Sequence, residues 1–312
     1  MLLERLERID VCSIKDFENR SISGEQPVVI ARLERSGPSE SDYTMSDISK
    51  RFGHVRVPVR DSDDEFKEFF ARTNNEVTPR KTVRLADYIS LIEKAAVTGT
   101  RPPYAGNISI HNDPLVAKKF DDLLSDCRFP KWLPDNTNYE HRLWIGAAGQ
   151  RSTIHNDPYH NFNAQIVGRK RFIIFAPNQH DFIYPIFFHT GMWASPVEPH
   201  APDLKKYPKF ASAKGFVCEL SAGEILYLPR FWWHHVEALT VSVSVNRWHL
   251  PEGDPKQWWH QQPDAQQHIS YEQLIERISQ RFEALPDALK EFERGEFLKL
   301  KAEFQNLHMA AG

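Results

Sequence analysis

Cysteine is scarce in this sequence: 312 residues hold three, Cys12, Cys127 and Cys218, odd in number, far apart and never in C-x-x-C spacing. That excludes a disulfide framework and a thiolate zinc site, and it fits a reducing compartment, so a cytoplasmic protein is expected. Long apolar runs are lacking too. No stretch approaches the roughly 20 apolar residues that cross a bilayer. The opening MLLERLERID breaks its leucines with Glu4, Arg5, Glu7 and Arg8, so neither a secretory signal nor a membrane partner is expected. Excess positive charge is also missing. With 39 Lys and Arg against 42 Asp and Glu the formal net charge is −3, which leaves no global basic field for nucleic acid. Internal repeats and low-complexity runs are absent as well.

What is present is a globular balance, with 41% hydrophobic and 26% charged residues, enough for one large domain with an appendage. Aromatic residues reach 12%, including 20 Phe and 8 Trp, a composition that suits pleated walls better than a helical bundle. The first 60 or so residues suggest a short amphipathic helix followed by strands at 27–33 and 54–60, where Val55, Val57 and Val59 alternate. The stretch to about 140 is mixed, with helices expected at 66–74, 86–97 and 113–124 and a strand at 104–110. From Leu143 to Trp248 short apolar strands follow one another between Gly and Pro punctuation, the pattern of a barrel or sandwich.

The tail changes period. Tyr271, Leu274, Ile275, Ile278, Phe282 and Leu285 recur at helical spacing behind a Ser270/Gln273 capping box, and a second helix follows Pro286. The chain therefore divides into 1–262, a β domain, and 263–312, a helical segment. Its apolar positions are too many for a solvated tail, so it is expected to form a homodimer interface.

The chemistry concentrates in RSTIHNDPYHNFNAQIVGRKRFIIF. His155 and Asp157 are two residues apart and project to one side of an extended segment. After Pro229, RFWWHHVEAL offers His234 or His235 as a second imidazole. Two histidines and one carboxylate make the facial triad of non-haem Fe(II), which leaves coordination positions open. A lone His-x-Asp pair is a weak pattern, since most such pairs sit in solvated loops. Lys170 shares a strand face with Phe172 and Ile174. Such a lysine either snorkels to solvent or meets an anionic ligand inside the fold. In the last strand Val241, Val243 and Val245 form one face, and Ser242, Ser244, Asn246 and Trp248 the other. The second face lines either a ligand lumen or water.

Together LWIGAAGQRSTIHND, NFNAQIVGRKRFIIFAPNQ and GEILYLPRFWWHHVEALTVSVSVNRW resemble the cupin-like branch of the jumonji-C (JmjC) 2-oxoglutarate oxygenases, in particular its asparaginyl hydroxylases. The resemblance implies a mainly β fold with α elements: a double-stranded β-helix of jelly-roll, cupin type with N-terminal helices and a C-terminal helical extension. It implies Fe(II) held by His155, Asp157 and His234, and dioxygen (O2) and 2-oxoglutarate as co-substrates. Lys170 and Tyr104 match residues that grip the distal carboxylate of 2-oxoglutarate, and Asn161 and Asn246 match polar residues near its metal-bound end. Where those hydroxylases have threonine three residues before the first histidine, this chain has Ser152 with Thr153 beside it, so the cavity hydroxyl is open between the two. The implied activity is hydroxylation of a C–H bond, with a protein or peptide side chain as the leading substrate and a small molecule or nucleotide as the alternative. Lysine demethylation is less favoured, and a non-catalytic metal-binding module is the rival from another class.

Overall fold

The computed structural model describes residues 1–10, 17, 26–32, 43–60, 80–100, 102–127, 129, 139–157, 159–187 and 193–249. Its strands in chain order are β1 (Leu2–Arg5), β2 (Arg8–Asp10), β3 (Val28–Arg32), β4 (Arg56–Arg60), β5 (Arg80–Arg84), β6 (Ala105–Ser109), β7 (Tyr139–Gly146) and β8 (Arg151–Asn156). They continue with β9 (His160–Val167), β10 (Arg169–Phe175), β11 (Ile186–Phe187), β12 (Trp193–Ser195), β13 (Lys214–Ser221), β14 (Ile225–Leu228), β15 (Trp233–Ala238) and β16 (Ser242–His249). Three α-helices are described: α1 (Met45–Phe52), α2 (Leu85–Thr98) and α3 (Asp121–Asp126).

Two seven-stranded sheets make the body. The first runs β1-β13-β10-β15-β8-β12-β11, the second β2-β3-β14-β9-β16-β7-β6, and β4 and β5 form a separate hairpin sheet. From β7 to β10, and again from β13 to β16, the chain alternates between the two large sheets, which is the winding of a double-stranded β-helix of jelly-roll type. Turn chemistry enforces one crossing of this kind. Gly168 joins β9 to β10 at φ +76, and a Cβ there would lie 2.1 Å from the Val241 carbonyl oxygen, so both the left-handed backbone and the close approach demand glycine.

Three apolar clusters hold the layers. Phe172 and Ile174 of the first sheet meet Val29, Leu226 and Leu228 of the second between the sheets. Val243, Val245, Leu143 and Ile145 face the other way and bury against Ile48, Phe52, Leu85, Ile89 and Ile92 of α1 and α2. On the far side of the first sheet, Ile173, Phe175 and Trp233 are covered by Ile183, Val197 and Phe210. The helices are locally encoded. Thr44 and Asp47 close a reciprocal capping box on α1, and α2 ends on Gly99 in the left-handed conformation.

Several expectations need correction. The N-terminal amphipathic helix is instead β1 and β2; Leu2 to Arg5 pair in parallel with Lys214 to Val217 at an open sheet edge, and that ladder outweighs local helix propensity. The helix expected over 113–124 is reduced to α3, because Lys118 sits at φ 63 and a left-handed residue interrupts an α-helix. The hairpin strand β5 and the short β11 and β12 were not expected. The helix at 66–74 and the tail with its dimer interface lie outside the described residues.

Candidate metal centre

His155 lies near the end of β8 and His234 near the start of β15; the two strands pair antiparallel with His234 opposite His155. Asp157 follows β8 by one residue. Its backbone carbonyl accepts a 2.7 Å hydrogen bond from the Phe231 N–H, and Phe231 turns at φ 65 to provide it. A bulge between His234 and Val236 shifts the register just after the second histidine, as bulges near functional sites do by re-aiming a side chain.

The three side chains converge. Asp157 Oδ2 is 4.0 Å from His155 Nε2 and 3.7 Å from His234 Nε2, and ligand atoms of all three lie within 4.8 Å of one another. Each imidazole is oriented from behind: Nδ1 of His155 lies 2.8 Å from the Thr153 carbonyl oxygen, and Nδ1 of His234 lies 3.0 Å from that of Trp232. A carbonyl can only accept, so Nδ1 carries the proton in both rings and each Nε2 presents a lone pair to the same point. This is how proteins fix the tautomer of metal-binding histidines.

The point opens into a cavity of about 150 Å³ between the sheets, which Lys170, Tyr104, Ser152, Asn161 and Asn246 also line. Lys170 is 6% exposed, and its ammonium donates a 2.5 Å hydrogen bond to Ser244 Oγ. Among the described residues no carboxylate pairs with it, and burial pushes its pKa down to about 7. Snorkelling to solvent is thereby excluded. The polar face of β16 likewise points inward and not to water: Ser242, Ser244, Asn246 and Trp248 are all buried, with Ser242, Asn246 and Trp248 on the cavity wall. Asn163 donates to Asn246, which donates to Asn161, so three amides form a one-way chain across β9 and β16.

Ser152 and Thr153 separate cleanly. Ser152 faces the cavity with a buried hydroxyl that has no partner among the described residues, whereas the Thr153 hydroxyl donates to the Ser195 carbonyl at 2.7 Å and does not line the cavity. Tyr104 is held by paired backbone hydrogen bonds with Arg60, and its ring rests over Gly106 and Gly146, where a Cβ would meet ring carbons at 2.4 and 3.1 Å. Sequence reasoning missed Asn163, although it shares the strand face of Asn161 two residues away. It also missed Asn107, on the wall at φ 55 with its buried Oδ1 unpartnered; no sequence pattern marks that turn. His235 points to the opposite side of the strand, where burial first, then His200 and Arg151, push its pKa down to about 3.

The donor set fits a divalent iron ion and a dicarboxylate. Two oriented imidazoles and one carboxylate suit non-haem Fe(II). A buried, carboxylate-free ammonium together with orphaned hydroxyls and amides suits an anionic, oxygen-rich ligand, because groups left bare in a dry cavity cost energy until one arrives. A jelly roll with such a face inside defines a cupin-type β protein. Residues 14–254 match the cupin-like domain family, and the chain belongs to that family, in its JmjC-type branch. It is 40% identical over 240 residues to a Xenopus tropicalis protein named lysine-specific demethylase 8, covering 76% of this chain and 51% of that one. It is 27% identical over 251 residues to the Danio rerio protein of that name, covering 78% of this chain and 58% of that one. With the Gallus gallus tRNA wybutosine-synthesizing protein 5 it shares 28% identity over 279 residues, 86% of this chain and 85% of that one. The chain thus spans little more than half the length of the two demethylase relatives. Members of this family are typically Fe(II)- and 2-oxoglutarate-dependent oxygenases.

Proposed function

We propose that this chain is an Fe(II)- and 2-oxoglutarate-dependent dioxygenase that hydroxylates a C–H bond of a protein or peptide side chain, releasing succinate and CO2. The observation that carries it is the pair of Nε2 lone pairs aimed with Asp157 at one point, in the same cavity as a buried lysine that no carboxylate among the described residues pairs with. His155, Asp157 and His234 would hold the metal, and the Thr153 and Trp232 carbonyls keep both rings in the ligating tautomer. Bound iron with 2-oxoglutarate supplies the activation of dioxygen and the oxidising power for C–H cleavage.

The chain's own residues bind, orient and exclude. Lys170, with Tyr104 beside the same cavity, meets the distal carboxylate, and that contact restores to Lys170 the charge that burial disfavours. The Asn163–Asn246–Asn161 chain presents fixed amide dipoles to the other end of the co-substrate. Ser152 supplies the hydroxyl that matches the family threonine. Trp248, on the cavity wall and stacked on Tyr159 at 5.1 Å, restricts what reaches the reacting centre.

Protein substrates are favoured by the lysine-specific demethylase relatives, whose names describe action on lysine. A nucleotide substrate is the second reading, because the relative matched over 85% of its own length is named for tRNA wybutosine synthesis.

The test is an anaerobic titration of metal-free protein with Fe(II) and 2-oxoglutarate, followed by the visible charge-transfer band of a chelated keto acid. Wild type should develop the band, His155→Ala should not, and no band in folded wild type refutes the proposal in favour of a non-catalytic binding module. Substrate class is then read by mass: a gain of one oxygen on lysate-derived peptides supports the first reading, and a gain confined to tRNA nucleosides the second.

A further inference from the structure

Behind the cavity, on the outer face of the first sheet, a second cluster stands apart from the first. Glu198, His200 and His235 each place one ligand atom within 4.8 Å of the others. His235 follows His234 at the bulge in β15 and so points away from the cavity, toward the 195–200 segment that covers this face. It is 1% exposed, the Ser152 backbone lies beside its ring, and no side chain among the described residues hydrogen-bonds either ring nitrogen. A buried imidazole nitrogen left without a partner is costly unless something binds it. His200 packs edge-on against it at 5.1 Å, and the Glu198 carboxylate already accepts from the His200 backbone N–H at 3.1 Å, so the segment is pre-folded around the point.

We propose that Glu198, His200 and His235 form a second divalent-metal site, of the zinc class, that clamps the 195–200 segment to β15. Two imidazoles and a carboxylate are ligands that such borderline ions accept, with water completing the shell. Hard ions such as Mg²⁺ and Ca²⁺ prefer all-oxygen sets and are disfavoured here. Charge allows it. Arg151 lies 3.6 Å from Glu198 but also 3.2 Å from Glu237, so an arriving cation can take Glu198 while Arg151 keeps Glu237. Glu237 Oε2 also stands 3.3 Å from His200 Nε2, adding a carboxylate beside the ligand ring, as metal-bound histidines commonly have. The site is independent of the first: His235 projects from the opposite side of β15 to His234, and Glu198 and His200 come from the segment that covers that outer side.

The experiment counts metal. Metal-free full-length protein is dialysed against micromolar Zn²⁺, and bound zinc per chain is measured for wild type, His155→Ala, His200→Ala, Glu198→Gln and the double variant His155→Ala/His200→Ala. The His200 and Glu198 side chains are 25% and 40% exposed, so their replacement spares the core that His235→Ala would disturb. Two equivalents are expected in wild type, one in each of His155→Ala and His200→Ala, and none in the double variant. Zinc should also raise the melting temperature of His155→Ala but not of the double variant. One equivalent that His200→Ala removes and His155→Ala leaves would support this site while refuting the first. One equivalent in wild type that His155→Ala abolishes, or a second equivalent that His200→Ala and Glu198→Gln both retain, overturns the proposal and leaves the cluster an ion-pair network.

Discussion

Replacing Lys170 by Met should push folding stability and co-substrate binding in opposite directions. Burial moves the pKa of Lys170 from its usual 10.5 to about 7. At roughly 1.36 kcal/mol per tenfold change in proton affinity, that costs the co-substrate-free protein about 4 kcal/mol at neutral pH. Methionine matches the stem and removes the charge. Losing the hydrogen bond to Ser244 gives back about 1 kcal/mol, which leaves the variant about 3 kcal/mol more stable, a rise in Tm of about 5–10 °C. The pH dependence identifies the cause. The folded pKa lies below the unfolded one, so between about pH 7 and 10.5 the unfolded chain holds more protons, and wild-type stability climbs with pH through that window. Below about pH 7 the penalty is fully present, and Lys170→Met should flatten this climb.

Binding should respond the other way. Removing one partner of a buried charge pair costs about 3–5 kcal/mol, so the Kd for 2-oxoglutarate should rise on the order of 10²- to 10³-fold. Wild-type binding should draw in a proton at pH values above about 7, because the carboxylate recharges a lysine that burial had neutralised. Calorimetry in two buffers of different ionisation enthalpy measures that uptake. A variant that is less stable than wild type and binds 2-oxoglutarate within threefold of it would refute the assignment of Lys170 as the carboxylate grip.

Ser152→Ala should raise the apparent KM for 2-oxoglutarate with little change in Tm, whereas Thr153→Ala, which loses the hydroxyl donated to the Ser195 carbonyl, should cost about 1 kcal/mol of stability and leave KM unchanged; steady-state succinate release and thermal melts separate them. Gly106→Ala drives a Cβ to within 2.4 Å of the Tyr104 ring, an overpacking of about 1–3 kcal/mol, and should weaken 2-oxoglutarate binding in the same calorimetric titration while the metal-dependent band with saturating co-substrate survives. Gly168→Ala combines φ +76 with a 2.1 Å clash against the Val241 carbonyl; urea melts should show it among the most destabilising single substitutions in the domain, by at least about 2 kcal/mol.

The proximity of His155 and Asp157 was legible because strand geometry repeats every two residues, and Lys170 was legible on its core face for the same reason. The choice between His234 and His235 was not open to spacing alone. The bulge after His234 is a tertiary event with no local pattern, and only the resemblance to a family favoured the first of the pair. The polar face of β16 was ambiguous because a half-buried strand and a lumen-facing strand read alike in sequence; what distinguishes them is the helical layer that covers Val243 and Val245 from behind. The same limit hid β1 and β2. Their leucines and charges are compatible with a helix, and the deciding interactions are tertiary: the edge of β13, more than 200 residues further along, takes β1, and the edge of β3 takes β2.

The division of labour between the sheets follows from that architecture. His155, Asp157 and His234 belong to the first sheet or the residue just beyond it, whereas the amide chain and Ser242 belong to the second. Lys170 reaches across, from β10 of the first sheet to Ser244 on β16 of the second. The spacing between metal end and carboxylate end is therefore set by two things: the packing of Phe172, Ile174, Leu226 and Leu228 between the sheets, and the strand pairing of β8, β15 and β10 within one of them. Paired strands are stiff along the ladder, and side-chain cores yield only at the cost of cavities. A co-substrate of fixed length is consequently measured by the rigid direction, along β10 and β15 from Lys170 to His234, and a shortening or lengthening of that ligand by one methylene should be resisted there, whereas a change in bulk at its metal-bound end meets the softer packing between the sheets.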